Sequence, residues 1–281
     1  MLTFNTIGYF GKLGNQMFQY ACLYGVARKN GYSYGIPLKK NSEWKKPGWY
    51  DSKLYLNDIF NITAEDSSER EPKYRCYYDS LIFNEDVFSI PDDTDIGGYF
   101  QSEKYFKHCS EELRKEFSFK NIDQYKSVDK ELSSFGIKIG MHIRRGDFVK
   151  LSNVYGQCSI EEYYRASVKE LKTRLDVIET IMVFSDDIEW CRNNIGDLFE
   201  DIPVVYDQEP KSEEEYYSNQ ENSLMKMSLC DHFITANSSY SWWGSWLIQS
   251  KNKLIVSPKN WFVDRKYIDF KDVYQDNSIL I

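Results

Sequence analysis

The chain has 281 residues, 42% apolar and 28% charged, which fits one large or two medium domains and a globular rather than a disordered chain. Forty-three acidic against 35 basic side chains leave a net charge of −8, which argues against a general binder of nucleic acid or acidic membranes but leaves room for a local basic pocket. Six cysteines with no CxxC pair and three histidines without zinc-like spacing argue against a disulfide framework or a zinc site, and for a reducing compartment. No secretory-signal pattern opens the sequence, and no run of about 18 apolar residues occurs, so a cytoplasmic protein without a transmembrane segment is expected.

Leu2 to Ile7 reads as a first strand, and Gly8 to Asn15 as a glycine-rich loop. Gln16 to Lys29 reads as a helix with Met17, Phe18, Ala21, Cys22 and Val26 on one face, closed by Gly31. The spacing of Gly8, Gly11 and Gly14 differs from the dinucleotide fingerprint, and no Gly-Lys-Ser/Thr follows. Two readings stand side by side: a tight turn that lets the helix pack, or a loop whose backbone and Asn15 approach a substrate.

Residues 32 to 95 alternate short pieces, with Trp44, Trp49, Tyr50 and Tyr55 among them. Asp93-Thr94-Asp95 matches a DxD pattern that holds a divalent metal in some sugar transferases. It lies in an acidic loop after Pro91 rather than directly after an apolar strand, and no metal is assigned to it. Ile96 to Phe100 reads as a strand, Ser102 as the cap of a helix running to about Phe119, and Asn121 to Ser134 as a helix leading to the boundary between halves.

The second half is more regular. Ile137, Ile139, Met141 and Ile143 make an apolar strand that stops at Arg144 and Arg145, before the turn residues Gly146 and Asp147. Ser159-Ile160-Glu161-Glu162 is a capping box that opens a helix ending near Leu175. Further strands are Thr180 to Ser185, Ile202 to Tyr206, Asp231 to Ala236 and Leu254 to Ser257. Helices are expected at Ile188 to Ile195, Ser223 to Cys230 and Tyr240 to Gln249, with Gln208 to Glu215 as a solvated acidic loop. Strands alternating with helices imply parallel sheets covered on both faces. The expected organisation is two α/β domains, 1–133 and 134–281, with a ligand cleft between them and roughly the last 20 residues packing back on the first.

Three strand ends in the second half carry polar clusters: His142 to Arg145, Asp186-Asp187, and Asn237 to Ser239. Parallel strands put such ends on one edge, where open α/β sheets bind ligands. A guanidinium there matches phosphate, and Ser238 and Ser239 at a helix start supply hydroxyl and backbone N–H donors. Asp231 is a carboxylate that matches two adjacent N–H donors of a guanine edge. Each cluster also has an ordinary reading: Ser239 as a helix cap, His142 as a core histidine, Arg145-Gly146-Asp147 as a chance tripeptide. Together they point to a nucleoside diphosphate.

The loop Gly11-Lys12-Leu13-Gly14-Asn15-Gln16-Met17-Phe18-Gln19-Tyr20-Ala21 resembles the N-terminal signature of bacterial α-1,2-fucosyltransferases, glycosyltransferase family 11. So does Gly98-Tyr99-Phe100-Gln101-Ser102-Glu103-Lys104-Tyr105-Phe106. His142-Ile143-Arg144-Arg145-Gly146-Asp147 resembles the HxRRxD motif shared with α-1,6- and protein O-fucosyltransferases. Phe184 to Asp187 and Asn237 to Gly244 complete the family's order. Lys12 departs from the pattern, standing where many relatives have a second glycine.

The resemblance implies a GT-B-type α/β fold of two Rossmann-like domains facing across a cleft. It also implies a GDP-β-L-fucose donor without a cofactor or required metal, and inverting transfer to the 2-hydroxyl of a β-galactoside in a surface glycan. By the same resemblance, Arg144 and Asn15 are catalytic. His142, Arg145, Asp186, Asp231, Asn237, Ser238, Ser239 and Tyr240 bind the donor, and Gly14, Gln16 and Gln101 lie on the acceptor side. The implied partners are GDP-fucose and a galactose-terminated or lipid-linked glycan, at most with peripheral contact at the inner membrane face. A non-catalytic nucleotide-sugar or glycan-binding protein and a fucosyltransferase of another linkage are the competing readings; the 22 Tyr, 17 Phe and 7 Trp favour the former.

Overall fold

A helix buried on all sides needs no polar stripe, and one such helix follows the first strand directly. In the computed structural model of the chain, β1 (Leu2–Thr3) leads through turns into α1 (Leu13–Asn30), which is buried from Leu13 to Ala27 except at Asn15. Gly31 ends it at φ +70, a left-handed cap that glycine adopts without steric cost. The structure describes residues 1–9, 11–39, 53–78, 81–150, 152–156, 158–199, 202–208, 213–263 and 270–281. Trp44, Trp49 and Tyr50 lie outside them.

The chain divides into two compact units, Met1–Asn121 with Asp269–Tyr274, and Ile122–Ile268 with Gln275–Ile281. The first continues with β2 (Tyr34–Ile36), α2 (Leu56–Ile59), β3 (Glu65–Asp66), β4 (Tyr74–Tyr78), β5 (Thr94–Gly98) and α3 (Ser110–Glu116). Its strands form a parallel sheet in the order β3-β2-β1-β5-β4. The expected first strand is shorter than read, and β5 begins two residues earlier. Ser102 does cap a helix, but a short 3-10 turn, Glu103–Tyr105, well before α3. Glu116, buried at the end of α3, accepts from the Tyr20 hydroxyl (2.6 Å) and from the Thr63 N–H and hydroxyl (2.7 Å each), tying α3 to α1 with its charge fully hydrogen-bonded.

The second unit opens with α4 (Ile122–Leu132), so the division falls ahead of this helix. Then come β6 (Lys138–Ile143), α5 (Gly146–Lys150), α6 (Ser152–Tyr155), a π turn at Ile160–Arg165, α7 (Ala166–Arg174), β7 (Thr180–Ser185) and α8 (Ile188–Asn194). β8 (Val204–Tyr206), α9 (Glu213–Ser228), β9 (His232–Ile234), α10 (Ser239–Leu247), β10 (Ile255–Ser257) and β11 (Ile279–Leu280) follow. Helix α9 thus takes in Glu213–Glu215, which the charge pattern assigned to a loop.

All strands of this sheet are parallel, in the order β11-β10-β9-β6-β7-β8. Counted from β6, that is the doubly wound order 3-2-1-4-5-6. The winding reverses between β6 and β9, and this is where a crevice opens beyond the carboxyl ends of the strands. Ile139, Met141 and Ile143 of β6 pack with Ile181, Val183, Val168, Leu171 and Ile234 into one core, which makes β6 the rigid centre of the unit.

Candidate functional site

Strand periodicity sorts the residues of β6. Ile139, Met141 and Ile143 enter the core, so Lys138 and His142 face the other side, and Arg144 and Arg145 emerge beyond the last rung. Next door, β7 ends in Asp186 and Asp187, and these two carboxylates hold both arginines. Asp186 Oδ2 receives Arg144 Nη1 at 2.7 Å, and Asp186 Oδ1 receives the Arg145 backbone N–H at 2.8 Å. Asp187 Oδ2 receives Arg145 Nε at 2.9 Å, while its other oxygen caps α8 through the Trp190 N–H at 3.2 Å. The Arg145 guanidinium lies 3.5 Å from the centre of the Trp190 ring, and that of Arg144 lies 5.4 Å from the Phe148 ring. A Cβ on Gly146 would come within 2.3 Å of Asp186 Oδ2, so the close approach of this carboxylate requires glycine there. Arg145 is committed to Asp187 and Trp190, and Gly146 begins α5, so the triplet runs from a strand end into a helix. An open pocket of about 180 Å³ beside the arginines is lined by Ile143, Arg144, Arg145, Cys158, Ser159 and Trp190, among others.

His142 is buried, and its Nδ1 has no hydrogen-bond partner. Burial first, then the Arg144 charge, drives its imidazole down to about 3, so it is neutral at pH 7. The Tyr240 ring meets it edge-on, 5.9 Å between centroids. Tyr240 stands in the first turn of α10, whose leading N–H groups have no acceptor within the helix. Ser238 is the residue before that turn, extended, with its hydroxyl not used as a cap, and Ser239 begins the helix. The structure therefore brings His142, Arg144, Arg145, Asp186, Ser238, Ser239 and Tyr240 to one edge of one sheet, where the winding reverses.

Two expected donor ligands do something else. Asp231 precedes β9, and the register Ile139↔His232 sets it beside Lys138 at the opposite, amino-terminal edge. There it accepts the Lys138 N–H at 2.8 Å and pairs with its ammonium at 3.1 Å, so it is not at the edge that carries Arg144. Asn237 is at the right edge but its amide is spent on structure: Nδ2 donates to the carbonyls of Tyr155 (2.6 Å) and Trp261 (2.9 Å).

In the first unit, Gln101 Nε2 donates to Asn15 Oδ1 at 2.9 Å, joining the first turn of α1 to the loop after β5. Gln16 is fully buried; it donates to the Lys53 carbonyl (2.8 Å) and accepts from the Tyr55 N–H (2.9 Å), and Gly14 is buried in the same turn. Both are thus framework rather than acceptor contacts. Gln19 adds a second amide brace, accepting from the Gly8 N–H (3.1 Å) and donating to the Gly98 carbonyl (3.3 Å). The two carboxylates of the DxD triplet take separate partners: Asp93 pairs with Arg70 at 2.8 Å, and Asp95 accepts from the Thr3 hydroxyl (2.9 Å) and the Asn5 N–H (2.8 Å). Asp187, Trp190 and Gln19 brace these groups without being among the expected site residues, although Asp187 falls in the Asp186-Asp187 cluster and Gln19 in the first motif quoted above.

A doubly wound sheet with arginines and a helix start at its reversal point is an arrangement whose donors suit a phosphorylated ligand. Residues 2–281 match the model of Glycosyl transferase family 11, and the chain belongs to that family. It is 28% identical over 273 residues to an alpha-1,2-colitosyltransferase of Escherichia coli, covering 90% of each chain. It is 27% identical to the O-antigen biosynthesis glycosyltransferase WbnK of Escherichia coli (90% of this chain, 93% of the relative). It is 25% identical to the galactoside 2-alpha-L-fucosyltransferase SEC1 of Bos taurus (86% and 64%). Among solved structures, the alpha-1,6-fucosyltransferase NodZ soaked with GDP-fucose superposes with a TM-score of 0.53 at 13% identity, over 88% of this chain and 92% of NodZ. POFUT1 in complex with GDP does so at 0.50 and 14% identity, over 90% and 98%. The fold is of the GT-B type, two α/β units each built on a parallel sheet, as the sequence led one to expect. Among the described residues no helix is long and apolar enough to cross a membrane.

Proposed function

We propose that this glycosyltransferase moves L-fucose from GDP-β-L-fucose to the 2-hydroxyl of a β-galactoside, with inversion and without a metal or other cofactor, in the assembly of a surface glycan. The observation that carries the donor half is Arg144, held by Asp186 at 2.7 Å beyond the end of the central strand and next to the start of α10 in the sheet's crevice. Cleavage of the C1–O bond leaves negative charge on the diphosphate. A guanidinium already fixed in place stabilises that charge without reorganising as the bond breaks. Ser238, Ser239 and the first N–H groups of α10 supply further phosphate donors. On the acceptor side, the Asn15–Gln101 pair offers neutral amides suited to sugar hydroxyls.

Incubation of the full chain with GDP-fucose and a panel of galactose-terminated acceptors, with linkage analysis of the product, tests this reading. A 2-O-fucosyl galactoside is the expected product; GDP-fucose binding without transfer to any acceptor would overturn it in favour of a binding protein. A second reading, colitose as the transferred sugar, is supported by the 28% identity to a colitosyltransferase. A GDP-colitose arm in the same assay separates the two.

A further inference from the structure

The arginine–aspartate contacts close only if the ends of β6 and β7 part at one fixed spacing. Asp186 reaches across to the Arg144 guanidinium and the Arg145 N–H, and Asp187 reaches Arg145 Nε, so each contact depends on where the two chains go after their last rung. That rung pairs Ile143 with Ser185. Beyond it the strands are joined through a side chain. The Ser185 hydroxyl donates to the Ile143 carbonyl at 2.7 Å and accepts the Asp187 N–H at 3.0 Å. One partly buried oxygen thus bonds the residue before Arg144 on one strand and the residue after Asp186 on the other.

A serine that accepts an N–H two residues further along its own chain makes an ordinary turn. What sets Ser185 apart is the second bond, made across the sheet. A hydroxyl oxygen both gives and takes a hydrogen bond, which no backbone atom does, so it can relay a strand pair one step past its last rung. The relay also holds Asp187 as it leaves the strand. At φ −151 and ψ 67 this residue turns the chain into α8, caps the Trp190 N–H and still meets Arg145. Without the hydroxyl, the Ile143 carbonyl and the Asp187 N–H both lose this partner. We propose that Ser185 is a positioning residue of the transfer reaction: its hydroxyl sets the spacing of the two strand ends and, through Asp186, the aim of Arg144. The proposal rests on the donor reading above and deepens it, adding a residue that acts through Asp186 and Arg144 rather than on the ligand.

A double-mutant cycle on the full chain tests this, using whichever of GDP-fucose and GDP-colitose the wild-type chain turns over. Rates are normalised to the folded fraction from thermal melting, so that lost stability does not pass for lost rate. Ser185→Ala is expected to lower kcat by about tenfold and to leave the donor KM within about twofold, because a misaimed guanidinium matters most as charge develops. In the Asp186→Asn background Arg144 has already lost its guide, and the same substitution is expected to cost less than about twofold. Ser185→Thr and Ser185→Val share one shape and differ by the hydroxyl, so their comparison holds whatever the added methyl does. The threonine variant is expected to be about tenfold faster. Wild-type kcat in Ser185→Ala, equal losses in the two backgrounds, or equal rates for the threonine and valine variants would overturn the proposal. Absence of turnover by the wild-type chain with either donor would overturn the donor reading itself, and the positioning role with it.

Discussion

Both units are built on parallel sheets, yet the ends of their central strands are finished in different chemistry. Beyond β6 and β7 the second unit sets two arginines against two aspartates, with 2.7–2.9 Å contacts and little solvent between them. Around the ends of β1 and β5 the first unit sets amides: Asn15 on Gln101, Gln19 on the backbone of Gly8 and Gly98, Gln16 on that of Lys53 and Tyr55. The same architecture thus presents a charged, preorganised edge in one unit and a neutral, hydrogen-bonding edge in the other. Under the proposed reaction the first kind serves a leaving group on which charge develops, and the second serves hydroxyl-bearing sugars, which stay neutral until late in the transfer.

The strongest way to break the comparison is to remove the guanidinium that Asp186 fixes at the charged edge. Arg144→Lys retains the positive charge but loses the planar fork and the Asp186 contact geometry, and is expected to lower turnover by ~100–1000-fold. Arg145→Lys removes the bond to Asp187 and the stacking on Trp190, both of which brace the turn, and should retain much more activity. Steady-state assays of the two variants with GDP-fucose check the asymmetry; equal retention of activity would show that Arg144 has no special part.

A subtler test concerns the carboxylate between the arginines. Asp186 directs Arg144 but also places negative charge beside the phosphates. Asp186→Asn is therefore expected to act in opposite directions: GDP binds about fivefold more tightly because a nearby repulsion is gone, while turnover falls by ~10–100-fold because Arg144 is no longer aimed. Calorimetry and single-turnover rates measured on the same variant separate the two effects. A merely structural role for Asp186 would weaken both.

On the neutral edge, the corresponding experiment reads stability instead of rate. Gln16→Leu fills the same space but leaves the Lys53 carbonyl and the Tyr55 N–H without their partner, at a cost of about 1–3 kcal/mol. Denaturant unfolding should show that loss, with turnover per folded molecule unchanged. A normal unfolding midpoint with a raised KM for the acceptor would instead return Gln16 to the acceptor site.

What could be read from sequence divides along the same line. The second sheet was legible because β6 and β7 are six-residue strands, one with alternating and one with consecutive apolar residues, and both stop at charged residues, a contrast that marks the core strand and its end. The first sheet was largely illegible beyond β1 and β5. Strands β2 and β3 have three and two residues, too few for a period, and β4 is a mostly exposed Tyr-Arg-Cys-Tyr-Tyr at the sheet edge. Asp231 was misassigned for a different reason: it was matched to a guanine edge by its carboxylate chemistry, although it opens its strand, and in a parallel sheet strand starts lie at the edge opposite Arg144. Gln16 was misassigned because its partners lie 37 and 39 residues away, beyond any local pattern. Side chains at the ends of the longer strands were placed at the edge where they stand; those whose partners are set by register or by distant loops were not.

The smallest expected effect tests whether His142 belongs with the neutral or the charged groups of its own edge. In the folded chain its imidazole faces the Tyr240 ring and feels the Arg144 charge, and it stays unprotonated down to about pH 3. Once unfolded, it binds a proton below about pH 6.5. Between those values the unfolded state holds more protons than the native one, so stability falls as pH falls, with a slope of at most about 1.4 kcal/mol per pH unit from this residue. Above pH 6.5 the contribution is constant. His142→Gln, which cannot titrate, should show a shallower loss of stability between pH 6.5 and 4.5 than the wild-type chain. Taking the difference between the two proteins removes the carboxylates common to both. Parallel curves would mean that the imidazole charges in the native protein. A charged His142 would then stand with Arg144 and Arg145 as a third cation at this edge.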